Sequence, residues 1–190
     1  MTVGDLATEV GMAIPNQPRI VVSLHCDGQL VEQTSLQAVL ARPAADFQTL
    51  ELRTQPLSAM VRNILAETID LFHQADQARQ QAGLSLVEGR TEEAMNHLQN
   101  FFNLWRQVQE AMIVSARALE VDLDSLNVGG KTLMAVLDTM RKPLNDLKDA
   151  MVNRDHVVVG DVLQYEFADP LADWLQLLTT LQQQAGAAEA

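Results

Sequence analysis

The stretch that decides the fold is TEEAMNHLQNFFNLWRQVQEAMIVSARALE, from Thr91 to Glu120. Within it Ala94, Leu98, Phe101, Trp105, Val108, Met112, Ser115 and Leu119 recur at alternating spacings of four and three, which is the period of one face of an α-helix. The stripe runs down about eight helical turns. A face that carries Trp105 beside two adjacent phenylalanines, Phe101 and Phe102, has to be covered by other helices. This segment is therefore read as the central stave of a bundle.

The same spacing appears on both sides of it. Upstream, Pro56 suits a first helical position, and Leu57, Val61, Ile64, Thr68, Leu71, Ala75, Ala78 and Ala82 carry a stripe to about Gly83 or Glu88. The small residues at its end permit a close approach to a second helix. Gly89-Arg90 breaks the chain, and Thr91 followed by Glu92 and Glu93 reads as a capped helix start. Downstream, Val121–Gly130 is the longest connection. A third helix over about Lys131–Asn153 carries Leu133, Leu137, Met140, Leu144, Leu147 and Met151, with a bend expected before Pro143. Asn153-Arg154-Asp155 forces a tight turn. A fourth helix over about His156–Gln183 buries Leu163, Phe167, Leu171, Trp174, Leu178 and Leu181, with a second kink at Pro170. Helices of similar length joined mostly by short loops predict an up-down-up-down four-helix bundle.

The first part of the chain has a different character. Residues 1–18 contain Gly4, Gly11, Pro15 and Pro18 without a sustained period and are read as a flexible arm. From Arg19 the sequence alternates, and Asp27-Gly28 sits where a two-residue type I′ turn needs positive φ. This predicts a β-hairpin with one apolar face of Ile20, Val22, Leu24 and Val31. A short helix over Thr34–Ala41 and a third strand over Phe47–Thr54 complete a small β-rich lobe, residues 19–55, packed on a bundle of residues 56–183. Residues 184–190 are expected to fray. The fold class is mainly α with a small N-terminal lobe of hairpin and third strand, α+β when the whole chain is counted.

Composition narrows the function classes. Of 190 residues, 47% are hydrophobic and 20% charged, as in an ordinary globular protein. The net charge of −12 repels phosphate backbones and anionic membranes. Nucleic acid and membrane are therefore not expected partners, and no apolar run approaches the length of a span. A lone cysteine, Cys26, excludes an internal disulfide. With no Lys or Arg before Arg19 there is no basic start to a secretory signal, so a cytoplasmic location is expected.

Few residue patterns carry chemistry. Val128-Gly129-Gly130-Lys131-Thr132 resembles the tail of a phosphate-binding loop, but Ser125 replaces the required earlier glycine and a helix precedes it where the motif needs a strand. It is read as a glycine-rich helix start. Asp70-x-x-His73 has the ligand spacing of di-metal bundles, yet both residues fall outside the apolar stripe and face solvent, as does His97. His25 and Cys26 are strand neighbours on opposite faces, so Cys26 is read as a small buried hydrophobe and not a catalytic thiol. No enzyme activity, cofactor or metal is expected.

The least ordinary segment is DVLQYEFADPLADW, Asp161–Trp174. Glu166, Asp169 and Asp173 form an acidic ridge at spacings of three and four, Pro170 frees the Glu166 carbonyl, and Tyr165 faces away from Trp174. After Arg154 there is no Lys or Arg, so a partner for this face is expected to be basic. The sequence reads as a non-enzymatic adaptor or scaffold, homodimeric, binding a protein partner through Tyr165, Glu166, Asp169 and Asp173. The alternative is a small-molecule- or metal-binding bundle, or a catalytic one, with a cavity at the kinks, around Met140, Pro143, Phe167 and Pro170.

Overall fold

A computed structural model describes residues 1–14, 17–121 and 126–187. The protein is mainly α with a small three-stranded antiparallel sheet. It divides into two compact units, Met1–Val61 together with the chain end from Ala185, and Arg62–Gln184.

In the first unit the expected arm instead begins with a helix, α1 (Val3–Gly11). Thr2 caps it: its hydroxyl accepts from the Asp5 amide at 3.1 Å and its own amide donates to the Asp5 carboxylate at 2.7 Å. These bonds to Thr2 hold the Asp5 carboxyl below its usual pKa. A further bond from the Val3 amide to the Arg42 carbonyl, 2.9 Å, ties the helix down. The cap and this tie stabilise a helix too short to show a sequence period.

β1 (Arg19–Cys26) pairs with β2 (Gln29–Leu30) through the predicted turn, where Asp27 and Gly28 have φ of 50° and 82°. After α2 (Gln33–Leu40), β3 (Leu50–Pro56) returns antiparallel on the other side of β1, giving the order β2-β1-β3. Asp27 also starts this strand pairing, because its carboxylate accepts from the Gln48 and Thr49 amides, both at 2.8 Å. The predicted apolar face is corrected at Val22. The register shifts between Val21 and Ser23, so Val22 is an extra, bulged residue left 52% exposed while Leu24 is buried. Pro56 closes β3 and does not open the next helix.

α3 (Leu57–Val87) and α4 (Thr91–Ala118) follow, the unit boundary falling inside α3. The stripe read in α4 is its buried face, from Ala94 through Ser115. Trp105 lies 4.6 Å from Trp174 in an edge-on contact, and Phe101, Phe72 and Phe167 extend the cluster. Three helices end in one way. Gly89, Glu120 and Arg154 take positive φ, and the amides that follow them reach back to the carbonyls of Ser85, Ala116 and Ala150 at 2.8, 3.2 and 2.9 Å.

In the connection Val121–Gly130, residues 122–125, including the Ser125 of the loop comparison, lie outside those described. The glycine-rich segment is not a helix start. Asn127–Val128 (β4) and Lys131–Thr132 (β5) form a miniature hairpin around Gly129 and Gly130, whose φ values of 59° and 85° suit a type I′ turn. A Cβ at Gly129 would meet only the movable end of the exposed Gln176 side chain, so it is the positive φ that calls for glycine there. The third helix is broken at Met140 into α5 (Leu133–Thr139) and α6 (Arg141–Val152), just ahead of Pro143 as its missing donor requires. The fourth is divided into α7 (His156–Asp161), a π turn over Val162–Glu166, and α8 (Ala168–Ala187), which continues past the expected end at Gln183.

Candidate functional site

The π turn is the most specialised backbone in the second unit, and several residues act to hold it. α7 begins where Asp155 accepts from the Val158 amide at 3.1 Å, and its Gly160 faces Leu86 of α3. A Cβ at Gly160 would stand 3.9 Å from the Leu86 Cβ, and one at Gly83 would stand 3.7 Å from the Leu163 Cβ. Both are ordinary van der Waals distances, so alanine would fit at either position.

One turn before Gly83, Arg79 is only 5% exposed. Its guanidinium donates to Asp76 from Nε at 2.7 Å and from Nη2 at 2.6 Å, and its Nη1 donates to the Leu163 carbonyl inside the π turn. A buried guanidinium requires a charge partner and acceptors for its donors, and here each of its three nitrogens has one. A turn that departs from the i→i−4 pattern leaves a carbonyl in need of a donor, and the arginine supplies it. Pro170 lacks an amide hydrogen, so the widened turn sits where α8 cannot close a regular ladder backwards. A cleft of about 330 Å³ lies along this seam, lined by Arg79, Gln80, Gly83, Leu84, Leu163 and Gln164. No local pattern marks Arg79, since a single charged residue beside a stripe of alanines looks like solvated surface.

Of the four residues expected to bind a partner, Tyr165 is 67% exposed, in the middle of the π turn. Phe167, two residues on, is buried against Phe101 with ring centres 5.6 Å apart. Glu166 and Asp173 are engaged within the chain. Lys142 on α6 is bound by Glu166 and by Asp146, the latter at 2.9 Å, and these hydrogen bonds raise its pKa to about 12. Lys131 on β5 meets Asp173 at 2.6 Å. Asp169 is exposed and has no ion-pair partner among the described residues. The structure thus ties the acidic ridge to α6 and β5 at two points and leaves Tyr165 and Asp169 facing solvent.

Asp70 and His73 are exposed, and among the described residues no group of three or more His, Cys, Asp or Glu is arranged to hold a metal ion. Cys26 is half-buried and not fully buried as expected; burial, then the neighbouring Asp27, raises its thiol pKa, the direction opposite to thiolate activation. Met140, Pro143, Phe167 and Pro170 are all buried. Among the described residues no helix is long and apolar enough to cross a membrane.

A family model described as Domain of unknown function (DUF8042) matches residues 63–177. That range contains the whole π-turn seam. A protein of Treponema pallidum (strain Nichols), named only as an uncharacterized protein, is 24% identical over 173 residues, covering 90% of this chain and 84% of that protein. No solved structure matches the chain.

Proposed function

The chain belongs to the DUF8042 family, and from that premise we propose that it is a non-enzymatic protein-interaction module, an adaptor or scaffold of the cytoplasm that works as a homodimer. One observation carries the reading: a large aromatic side chain, Tyr165, stands 67% exposed on a π turn that a buried arginine holds in place. Irregular helical turns recur at functional sites, and tyrosine is enriched in the buried centres of interfaces. A residue with no role in contact has little reason to be presented on so specialised a support. Exposed Asp169 and Asp161 beside it, in a chain of net charge −12, favour a basic partner. The free thiol of Cys26 accords with a reducing compartment. The tight turns at Gly89 and Arg154 support an up-down-up-down order for the helical rods.

The test is Tyr165→Ala. Because the side chain is exposed, the thermal midpoint stays within about 2 °C of the parent, as surface substitutions usually change stability by no more than ~0.5 kcal/mol. Proteins retained specifically by the parent chain are lost or bind at least about tenfold more weakly, as expected of an aromatic anchor. Equal retention by parent and variant refutes the assignment. A second reading, a small-molecule site, draws support from the cleft at Arg79, whose volume of about 330 Å³ is at the low end for ligand pockets. A metabolite that raises the midpoint by several degrees would favour it.

A further inference from the structure

We propose, on the basis of the partner reading above, that the seam between α3 and α7 with its π turn seats an extended segment of the protein partner, apolar and basic in character. The two elements run antiparallel here: Leu163 lies against Gly83, and Gly160 against Leu86. Two clefts follow the seam in line. The one at Arg79, about 330 Å³, is followed by one of about 200 Å³ lined by Leu86, Val87, His156, Val157, Gly160 and Asp161. Three apolar residues of this lining, Leu84, Val87 and Val157, are 51%, 75% and 74% exposed.

The buried arginine in this lining calls for an occupant that accepts hydrogen bonds. A guanidinium carries five N–H groups. In Arg79 the Nε hydrogen and one on Nη2 go to Asp76, and one on Nη1 goes to the Leu163 carbonyl. One N–H on each Nη is thus left without an acceptor among the described residues, in a side chain that is buried. An unpaired buried donor is costly, and the cleft is where an acceptor can reach it. Because Asp76 already balances the charge, a neutral carbonyl fits better than a carboxylate. Carbonyls inside a helix are spent on their own ladder, so an extended backbone is the better source. From Arg79 to Val87 the seam is about 12 Å long, the reach of about four extended residues.

Charge selects the side chains of that segment. Besides His156, the only ionisable residues lining the two clefts are Arg79 and Asp161. Asp76 neutralises the first. Asp161 is exposed and has no ion-pair partner among the described residues. A basic side chain between two apolar ones meets Asp161 with its charge, while its neighbours cover Leu84 on one side and Val87 and Val157 on the other. An acidic segment would be repelled both by Asp161 and by a chain of net charge −12.

Fluorescence anisotropy of the full chain with labelled synthetic peptides tests this. The probe has a Leu-Lys-Leu core flanked by glycine and serine; in two comparison peptides Glu replaces the lysine or Ser replaces both leucines. The probe should bind at least about fivefold more tightly than either. Val87→Asp, Val157→Asp and Asp161→Lys should each weaken it by about fivefold or more, while Glu67→Lys, an equal change of charge farther back on α3, should leave it within about twofold. All four positions are exposed, so the variants keep the fold. Equal weakening by Glu67→Lys and Asp161→Lys would mark general charge attraction and overturn the seam as the seat. A probe that binds no better than the other two peptides, or that ignores the Val87 and Val157 substitutions, overturns it as well. Each of these failures leaves the partner reading standing, because that is decided by comparing retention on the parent and on Tyr165→Ala.

Discussion

Replacing Trp105 with alanine lowers the unfolding free energy by about 3–5 kcal/mol, the usual cost of deleting a large aromatic side chain from a packed core. Trp105 is 4% exposed and in ring contact with Phe72, Phe101 and Trp174, residues from three different helical rods. Backbone relaxation cannot refill a space bounded on three sides, so most of the lost contact stays lost. In a chain of this length each kcal/mol moves the midpoint by roughly 2–4 °C. A calorimetric or circular-dichroism melt should therefore fall by about 6–20 °C. A variant melting within about 2 °C of the parent would show that the cluster does not hold the second unit together.

Arg79→Ala is the second large effect, and it separates electrostatic support from packing. Removing the guanidinium leaves the Asp76 carboxylate without its charge partner, with only the Gln80 amide still donating to it, and the Leu163 carbonyl without the arginine donor. Breaking a buried pair costs ~3–5 kcal/mol, but the Asp76 side chain is 29% exposed and recovers some water, so about 2–4 kcal/mol is expected. The double variant R79M/D76L should restore much of the loss, since removing both charges removes the need for either. Arg79→Lys should not, because an ammonium lacks the fork that reaches carboxylate and carbonyl together. Amide exchange should quicken first in residues 162–167. If Arg79→Ala leaves both the melt and exchange there unchanged, the arginine does not hold the turn.

Where the sequence carried a repeated signal, the fold was readable. The α4 stripe matched its buried face because seven periodic residues outweigh any one exception, and Asp27-Gly28 marked its hairpin because so few residues tolerate two positive φ angles. Single-residue events were not readable. The bulge at Val22 and the π turn at Val162–Glu166 each insert one residue without disturbing the residue types around them. Pro170 hinted at the second, but a proline alone predicts a kink and not a widened turn. α1 was missed because its capping box, Thr2 with Asp5, is a two-residue signal lost among glycines and prolines. The second hairpin carries a turn signal, Gly129-Gly130, but the same residues before Lys131 and Thr132 also fit the tail of a phosphate loop, so glycines alone do not decide between the two.

The candidate site was half legible. Tyr165 and the acidic ridge stood out by helical phase, which needs only a count along one element. Their surroundings depend on distant residues. Arg79 is 84 positions from Leu163, Lys142 is 24 from Glu166, and Lys131 is 42 from Asp173; no local pattern links them. The acidic ridge therefore read as free charge, whereas two of its three carboxylates belong to the architecture.

The most direct measurement on the central claim, that the π turn presents Tyr165 to a protein partner, is photo-crosslinking in cells from a benzophenone side chain placed at position 165, with Asn103, exposed on α4, as the control position. A discrete adduct heavier than the chain, formed from 165 and not from 103, is the predicted result, and it should vanish when Arg79→Ala releases the turn. No adduct from 165, or the same adducts from both positions, would contradict the account.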